Sequence, residues 1–280
     1  MDVVRVRGLD IAYQRAGDGP PLLLVHGAGD DSRVWQPQLS ALADAFTVVA
    51  WDEPGSGRSA DLPEGFGLAD YAACLAGLID GLALGPVHLA GLSWGGTVAL
   101  QTYADAPHLV GTLVLADTYA GWAGSLPADE VRQRVAGVRR VLAAPAEDVV
   151  LVAPGLFAGE PPAAFAALLT ELAAGVRRET LAAQLVAMAE ADLRDLLPRI
   201  DVPTLLVWGE QDARSPQDVA RQFEQAIPGA RLVVLPDCGH LSNLEQPARF
   251  NEAVRSFCLA ERLPLPQRRF PAGSAAPTVP

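Results

Sequence analysis

Apolar residues along this chain come in two rhythms. Pro21-Leu22-Leu23-Leu24-Val25, Phe46–Trp51, Val87–Leu92, Thr112–Ala116, Thr204–Trp208 and Arg231–Leu235 are short and nearly unbroken apolar runs. Runs of this length without polar alternation suit strands covered on both faces, as in a parallel sheet. Between them, 34–42, 68–82, 95–106, 216–226 and 247–259 carry helical spacing. Val3–Val6 and Ile11–Arg15 read as an opening hairpin turned around Gly8-Leu9-Asp10. The pattern predicts an α/β fold: a doubly wound, mostly parallel sheet of eight strands.

One stretch interrupts the alternation. From about Ala128 to Leu197 the chain is rich in Ala, Leu and Arg, with helical periodicity and no clear strand. Its apolar residues cannot all face a sheet that is already covered. Its length favours an inserted helical cap over two crossover helices with long loops. Pro145, Pro154, Pro161 and Pro162 would divide it into several helices. The expected organisation is a first core part over 1–120, a cap over 121–200, a second core part over 201–260 and a tail over 261–280. That tail, rich in proline, small and polar residues, is expected to be disordered.

Composition narrows the classes. Half of the 280 residues are hydrophobic, enough for a large core. No apolar run approaches the ~20 residues of a membrane span, and no signal peptide is evident, so a cytoplasmic protein without a membrane partner is expected. The net charge of −12 disfavours nucleic acid, and every basic side chain other than histidine is arginine. Cys74, Cys238 and Cys258 are scattered, without metal-ligand spacing, and read as reduced core thiols. No metal or organic cofactor is implied. The expected partner is a small-molecule substrate, and the chain is expected to be a monomer or homodimer.

The chemistry starts at Gly91-Leu92-Ser93-Trp94-Gly95-Gly96, which follows a buried run and opens a helix. A G-x-S-x-G sequence in that setting makes a tight strand-to-helix turn, with Ser93 projecting above a helix N-terminus that favours developing negative charge. A serine hydroxyl needs a base. Of four histidines, His88 lies within a strand, His108 ends a helix beside Pro107, and His26 sits in a turn it is expected to orient. His240 follows a strand and the turn Pro236-Asp237-Cys238-Gly239, which carries it to the same edge of the sheet as Ser93. The imidazole in turn needs an acid to hold its tautomer. Asp212, in Trp208-Gly209-Glu210-Gln211-Asp212, is the candidate; Asp117 at the end of the preceding strand is its main competitor, and Glu210 is expected to point away. The oxyanion donors are expected to be the amides of Trp94 and of Ala28, in His26-Gly27-Ala28-Gly29. Gly29, Trp122 and Leu241 are candidates for contact with the substrate.

Over about residues 3–260 the chain resembles the α/β-hydrolase superfamily. The resemblance rests on His26-Gly27, Asp52-Glu53-Pro54-Gly55-Ser56-Gly57-Arg58-Ser59, the turn at Ser93, the Gly209–Asp212 turn and Gly239-His240. In Gly91-Leu92-Ser93, Leu115-Ala116-Asp117-Thr118 and His240-Leu241-Ser242-Asn243-Leu244-Glu245-Gln246-Pro247 it is similar to the 3-oxoadipate enol-lactonase branch. It departs from C–C bond hydrolases and proline iminopeptidases in the loop Ala28-Gly29-Asp30-Asp31-Ser32. It departs from epoxide hydrolases and haloalkane dehalogenases by having serine where those enzymes have an aspartate nucleophile. The resemblance implies hydrolysis of a carboxylic ester or lactone through an acyl-enzyme. A lyase, epimerase, cyclase or C–C bond hydrolase on the same scaffold is the alternative, and a catalytically dead receptor a third reading.

Overall fold

The computed structural model describes residues 1–143, 155–261 and 263. Its sheet contains β1 (Asp2–Val6), β2 (Leu9–Ala16), β3 (Pro21–Val25), β4 (Thr47–Trp51), β5 (Val87–Leu92), β6 (Val110–Ala116), β7 (Thr204–Gly209) and β8 (Arg231–Leu235). The strand order is β1-β2-β4-β3-β5-β6-β7-β8. β1 and β2, and β2 and β4, pair antiparallel, whereas the strands from β4 to β8 are parallel. This is the mostly parallel sheet that the apolar runs predict.

The opening hairpin differs in one detail. Arg5 pairs with Asp10 and Val6 with Leu9, so Leu9 and Asp10 belong to β2 and the reversal is Arg7-Gly8. Both turn residues have positive φ, 50° and 86°. A two-residue turn of that kind matches the twist of the flanking strands, which is why the loop is shorter than Gly8-Leu9-Asp10 suggests.

Strands β3 to β7 are largely apolar because each face meets a helical layer, whereas β8 at the sheet edge exposes Arg231 and Val234. Helices α1 (Gln36–Leu42), α2 (Leu68–Gly81), α3 (Trp94–Asp105), α8 (Gln217–Ala226) and α10 (Pro247–Ala260) follow the strands. Alternate residues of β3 divide between the layers. Leu22 and Leu24 share a core with Trp35, Leu39, Phe250 and Phe257 on the side of α1 and α10. Leu23 and Val25 share the other with Tyr71, Leu75 and Val98 on the side of α2 and α3. The period of two along a strand thus yields two cores rather than one wet and one dry face.

Between β6 and β7 stand α4 (Trp122–Ser125), α5 (Ala128–Ala143), α6 (Ala166–Gly175) and α7 (Arg178–Glu190), with no intervening strand among the described residues. Pro161 and Pro162 precede α6; Pro145, Pro154 and the tail from residue 264 lie outside the described residues. Helix α5 is fastened through Arg134, whose guanidinium donates to Tyr119 Oη at 2.9 Å and the Arg214 carbonyl at 2.7 Å. The same group stands over the Tyr119 and Trp122 rings, 5.6 and 5.5 Å from their centroids. At α7, Thr180 Oγ1 donates to the Gly55 carbonyl at 3.0 Å, and Arg177 donates to the carbonyls of Gly57 and Ser59. The short α9 (Ser242–Glu245) follows the loop after β8. Among the described residues, no helix is long and apolar enough to cross a membrane.

Candidate active site

Ser93 sits where β5 becomes α3, with φ +54° and ψ −119°. A non-glycine residue at positive φ is costly, so the surrounding structure must impose it. The imposition comes from packing at the two glycines. A Cβ on Gly91 would fall on the Gly95 carbonyl, and one on Gly95 would fall on the carbonyls of Val25 and His26. The turn can therefore lie tight against the end of β3 only with glycine at both places. Gly95→Ala should lower stability by about 1–3 kcal/mol, since backbone rather than a mobile side chain must move. Chemical denaturation measures this; an unchanged midpoint would mean that the turn has slack.

Loops after β7 and β8 bring two further side chains to this turn. His240 Nε2 lies 2.8 Å from Ser93 Oγ, and His240 Nδ1 lies 2.8 Å from Asp212 Oδ2. His240 and Asp212 are buried, at 2% and 5% exposure, while Ser93 is half-buried. Asp212 Oδ1 accepts from the amides of Arg214 and Ser215 at 2.8 and 2.9 Å. With one oxygen held by the backbone, the other is aimed at the ring. A carboxylate only accepts, so Nδ1 carries the proton, and the lone pair on Nε2 faces the serine hydroxyl.

The loop that carries His240 is fixed independently of Asp212. Glu245 accepts from the amides of Gly239 at 2.7 Å and Ala158 at 2.9 Å, and the Gln211 amide donates to the Cys238 carbonyl at 2.8 Å. The competitor Asp117 is close by but points elsewhere. Its Oδ1 accepts from the Gly209 amide at 2.8 Å and its Oδ2 from the Ser242 hydroxyl. It thereby ties the ends of β6 and β7 to the segment that follows His240. Burial and the neighbouring Asp212 push its carboxyl well above the usual range. Glu210 is exposed and accepts from the Asp237 amide. Cys238 is buried with a free thiol whose pKa is driven up by that burial.

The remaining histidines are placed away from the serine hydroxyl. His88 is buried with Nδ1 2.9 Å from Thr112 Oγ1, and His108 is exposed. His26 Nε2 accepts from the Glu53 amide at 3.1 Å, and its Nδ1 lies 2.9 Å from the Gly27 carbonyl. The ring thus clips the loop after β3 to the loop after β4. Of the amides in the first loop, that of Gly29 donates to Gln184 Oε1 at 3.1 Å and that of Asp30 to the Gly27 carbonyl at 3.2 Å. Gly27 lies beside Ser93, since a Cβ there would stand 3.6 Å from Ser93 Cβ. Ala28 follows it, and Trp94 is the first residue of α3, where an amide has no partner within the helix. Of the substrate-contact candidates, Gly29 borders a crevice shared with Asp30, Thr180, Leu181 and Gln184, while Trp122 and Leu241 are buried outside it.

One group escaped the reading of the sequence. Glu53 is fully buried, and its Oε2 accepts from Trp94 Nε1 at 2.8 Å and Gln184 Nε2 at 3.1 Å. Burial pushes its carboxyl up. A signal was present in two consecutive acids, Asp52-Glu53, directly after a buried strand. Gln184 carries no comparable signal, because it arrives from α7 more than a hundred residues later.

Residues 22–253 match the model of the alpha/beta hydrolase family. The chain is 32% identical to a putative carbamate hydrolase, RutD, of Pseudomonas savastanoi pv. phaseolicola, over 87% of this chain and 95% of that one. It is similar in structure to a thermophilic esterase from Thermogutta terrifontis, with TM-score 0.80 and 30% identity over 93% and 99% of the two chains. It is also similar to an enol-lactonase from Burkholderia xenovorans LB400, with TM-score 0.77 and 27% identity over 92% and 100%.

Proposed function

The chain belongs to the alpha/beta hydrolase family, and from that premise we propose that it hydrolyses a carboxylic ester or lactone through an acyl-enzyme on Ser93. The observation that carries this is the continuous chain from Ser93 Oγ through His240 to Asp212, with both links at 2.8 Å. His240 Nε2 takes the hydroxyl proton as Ser93 Oγ attacks the substrate carbonyl. Asp212 stabilises the imidazolium that forms. The amides of Ala28 and Trp94 receive the oxyanion, with the N-terminus of α3 behind it. His240 then protonates the leaving alkoxide, takes a proton from water, and the resulting hydroxide releases the acid. The similarity to an esterase and an enol-lactonase supports this substrate class. Helices α4–α7 serve as a cap in this reading, with α7 resting on the loop after β4 through Thr180 and Arg177.

Labelling with a serine-directed phosphonate, together with a panel of acyl esters and lactones of graded size, tests the proposal. Labelling of Ser93 with release of acid is expected. Product without oxygen from the solvent water would point instead to a lyase or epimerase on this scaffold.

A further inference from the structure

Beside the nucleophile lies negative charge that the hydrolytic machinery does not use. Asp30 Oδ2 stands 3.0 Å from where a Cβ on Gly27 would be, and Ser93 Cβ stands 3.6 Å from that same point. Asp30 is half-buried and borders the crevice with Gly29 and Gln184. Burial pushes its carboxyl up to about 7, with His26 opposing and Asp31 and Glu53 adding to the rise. Glu53, the second carboxyl near this loop, has one oxygen, Oε1, that is buried without a hydrogen-bond partner among the described residues.

Neither carboxyl has a committed cation among the described residues. Arg33 grips Asp31 with its Nη2 at 2.7 Å and reaches Glu171, and Arg177 is spent on Asp61 and two carbonyls. His26 is the nearest basic group, 3.9 Å from Glu53 Oε1. Burial opposes a charge on this ring and Glu53 favours one, with a net upward direction. Yet Nε2 already accepts the Glu53 amide proton, so a second ring proton would sacrifice that hydrogen bond. Charging the ring therefore costs the hydrogen bond that clips the two loops together. A carboxylate this close to the oxyanion loop also opposes the negative charge that develops on a neutral ester. A cation supplied by the substrate removes both conflicts at once.

We propose that Asp30, with Glu53 behind it, selects substrates carrying a protonated amine within a few bonds of the scissile carbonyl, that is, aminoacyl or aminoalkyl esters. This deepens the reading of Ser93 as nucleophile and rests on it. The amine can belong to the acyl half or to the leaving alcohol, and two substrate pairs separate these. Phenyl 3-aminopropanoate against phenyl butanoate exchanges an ammonium for a methyl on the acyl side. 2-Aminoethyl butanoate against propyl butanoate does so on the alcohol side.

At pH 7.5 the cationic member of at least one pair should have kcat/KM higher by ~10-fold or more, the scale of a partly desolvated charge pair. Asp30→Asn keeps the shape and removes the charge. It should lower the rate on the preferred cationic ester by ~10-fold or more and raise that on the neutral ester several-fold, because the repulsion of the oxyanion is gone. Inhibition of the unmodified protein by propylammonium, but not by 1-propanol at equal concentration, is the companion measurement should the variant fail to fold. Equal rates within both pairs, a preference that survives Asp30→Asn, an equal loss on both esters, or equal inhibition by amine and alcohol would each overturn the proposal. If phenyl butanoate is cleaved and Ser93 is labelled while no preference appears, this inference fails alone. If nothing is cleaved or labelled, the hydrolytic reading fails with it.

Discussion

Ser93→Ala should reduce kcat/KM on any ester the protein cleaves by ~10⁴-fold or more while leaving the fold in place. The loss is large because the covalent route disappears, and what survives is binding and oxyanion stabilisation acting on water. The fold should persist because Ser93 is half-buried and, among the described residues, its hydroxyl makes one side-chain hydrogen bond, to His240. The packing of Gly91 and Gly95 that bends the backbone into φ +54° is untouched. Circular dichroism and thermal unfolding establish the second half of the expectation, and phosphonate labelling should vanish together with turnover. A variant that keeps a tenth of its activity with an unchanged spectrum would exclude Ser93 as a covalent nucleophile.

The next largest effect is expected at the acid, where two buried aspartates compete. Asp212→Asn should cost ~10³–10⁴-fold in kcat. Its Oδ1 can still accept from the amides of Arg214 and Ser215, so the side chain stays in register. The atom facing His240 Nδ1 then becomes an NH₂ group, which donates. The ring must turn its lone pair towards it, place its proton on Nε2 and lose the ability to accept from Ser93. Asp117→Asn should cost far less. Its carbonyl can accept from the Gly209 amide and its NH₂ can donate to Ser242 Oγ, so both ties survive with one direction reversed. Steady-state kinetics on the pair decide the assignment. If Asp117→Asn is the crippled variant and Asp212→Asn is near wild type, the orienting acid is Asp117. If both are mild, His240 and Ser93 work without strong support from an acid.

Sequence and structure divide the information unevenly. Nearly unbroken apolar runs at 21–25, 87–92 and 204–208 report burial on both faces, and burial on both faces of a strand requires a helix on each side. The parallel sheet is therefore legible one segment at a time. The turn residues of the opening hairpin are less so, because Arg7, a non-glycine residue, takes positive φ in the two-residue turn that pairs Val6 with Leu9. Ser93, Asp212 and His240 can be singled out because each stands in a glycine-containing turn directly after a strand, and parallel strands deliver all such turns to one edge. By itself, then, the sequence determined the layered fold and which loops share that edge, since both follow from local periodicity and from the one-way run of parallel strands.

Only the tertiary structure decided what each side chain faces. Asp117 and Asp212 both follow buried strands, yet one is turned to Gly209 and Ser242 and the other to His240. Side-chain direction at a strand end depends on a loop's torsions and on which amides it meets, and no local pattern encodes that. The same holds for the cluster around Asp30. Glu53 comes from the loop after β4, Trp94 from α3, Gln184 from α7 and Gly29 from the loop after β3. Residues 131 positions apart meet because a helix from the long insertion is laid on the core. A buried carboxyl with an empty oxygen becomes visible only once every element that could have covered it is in place.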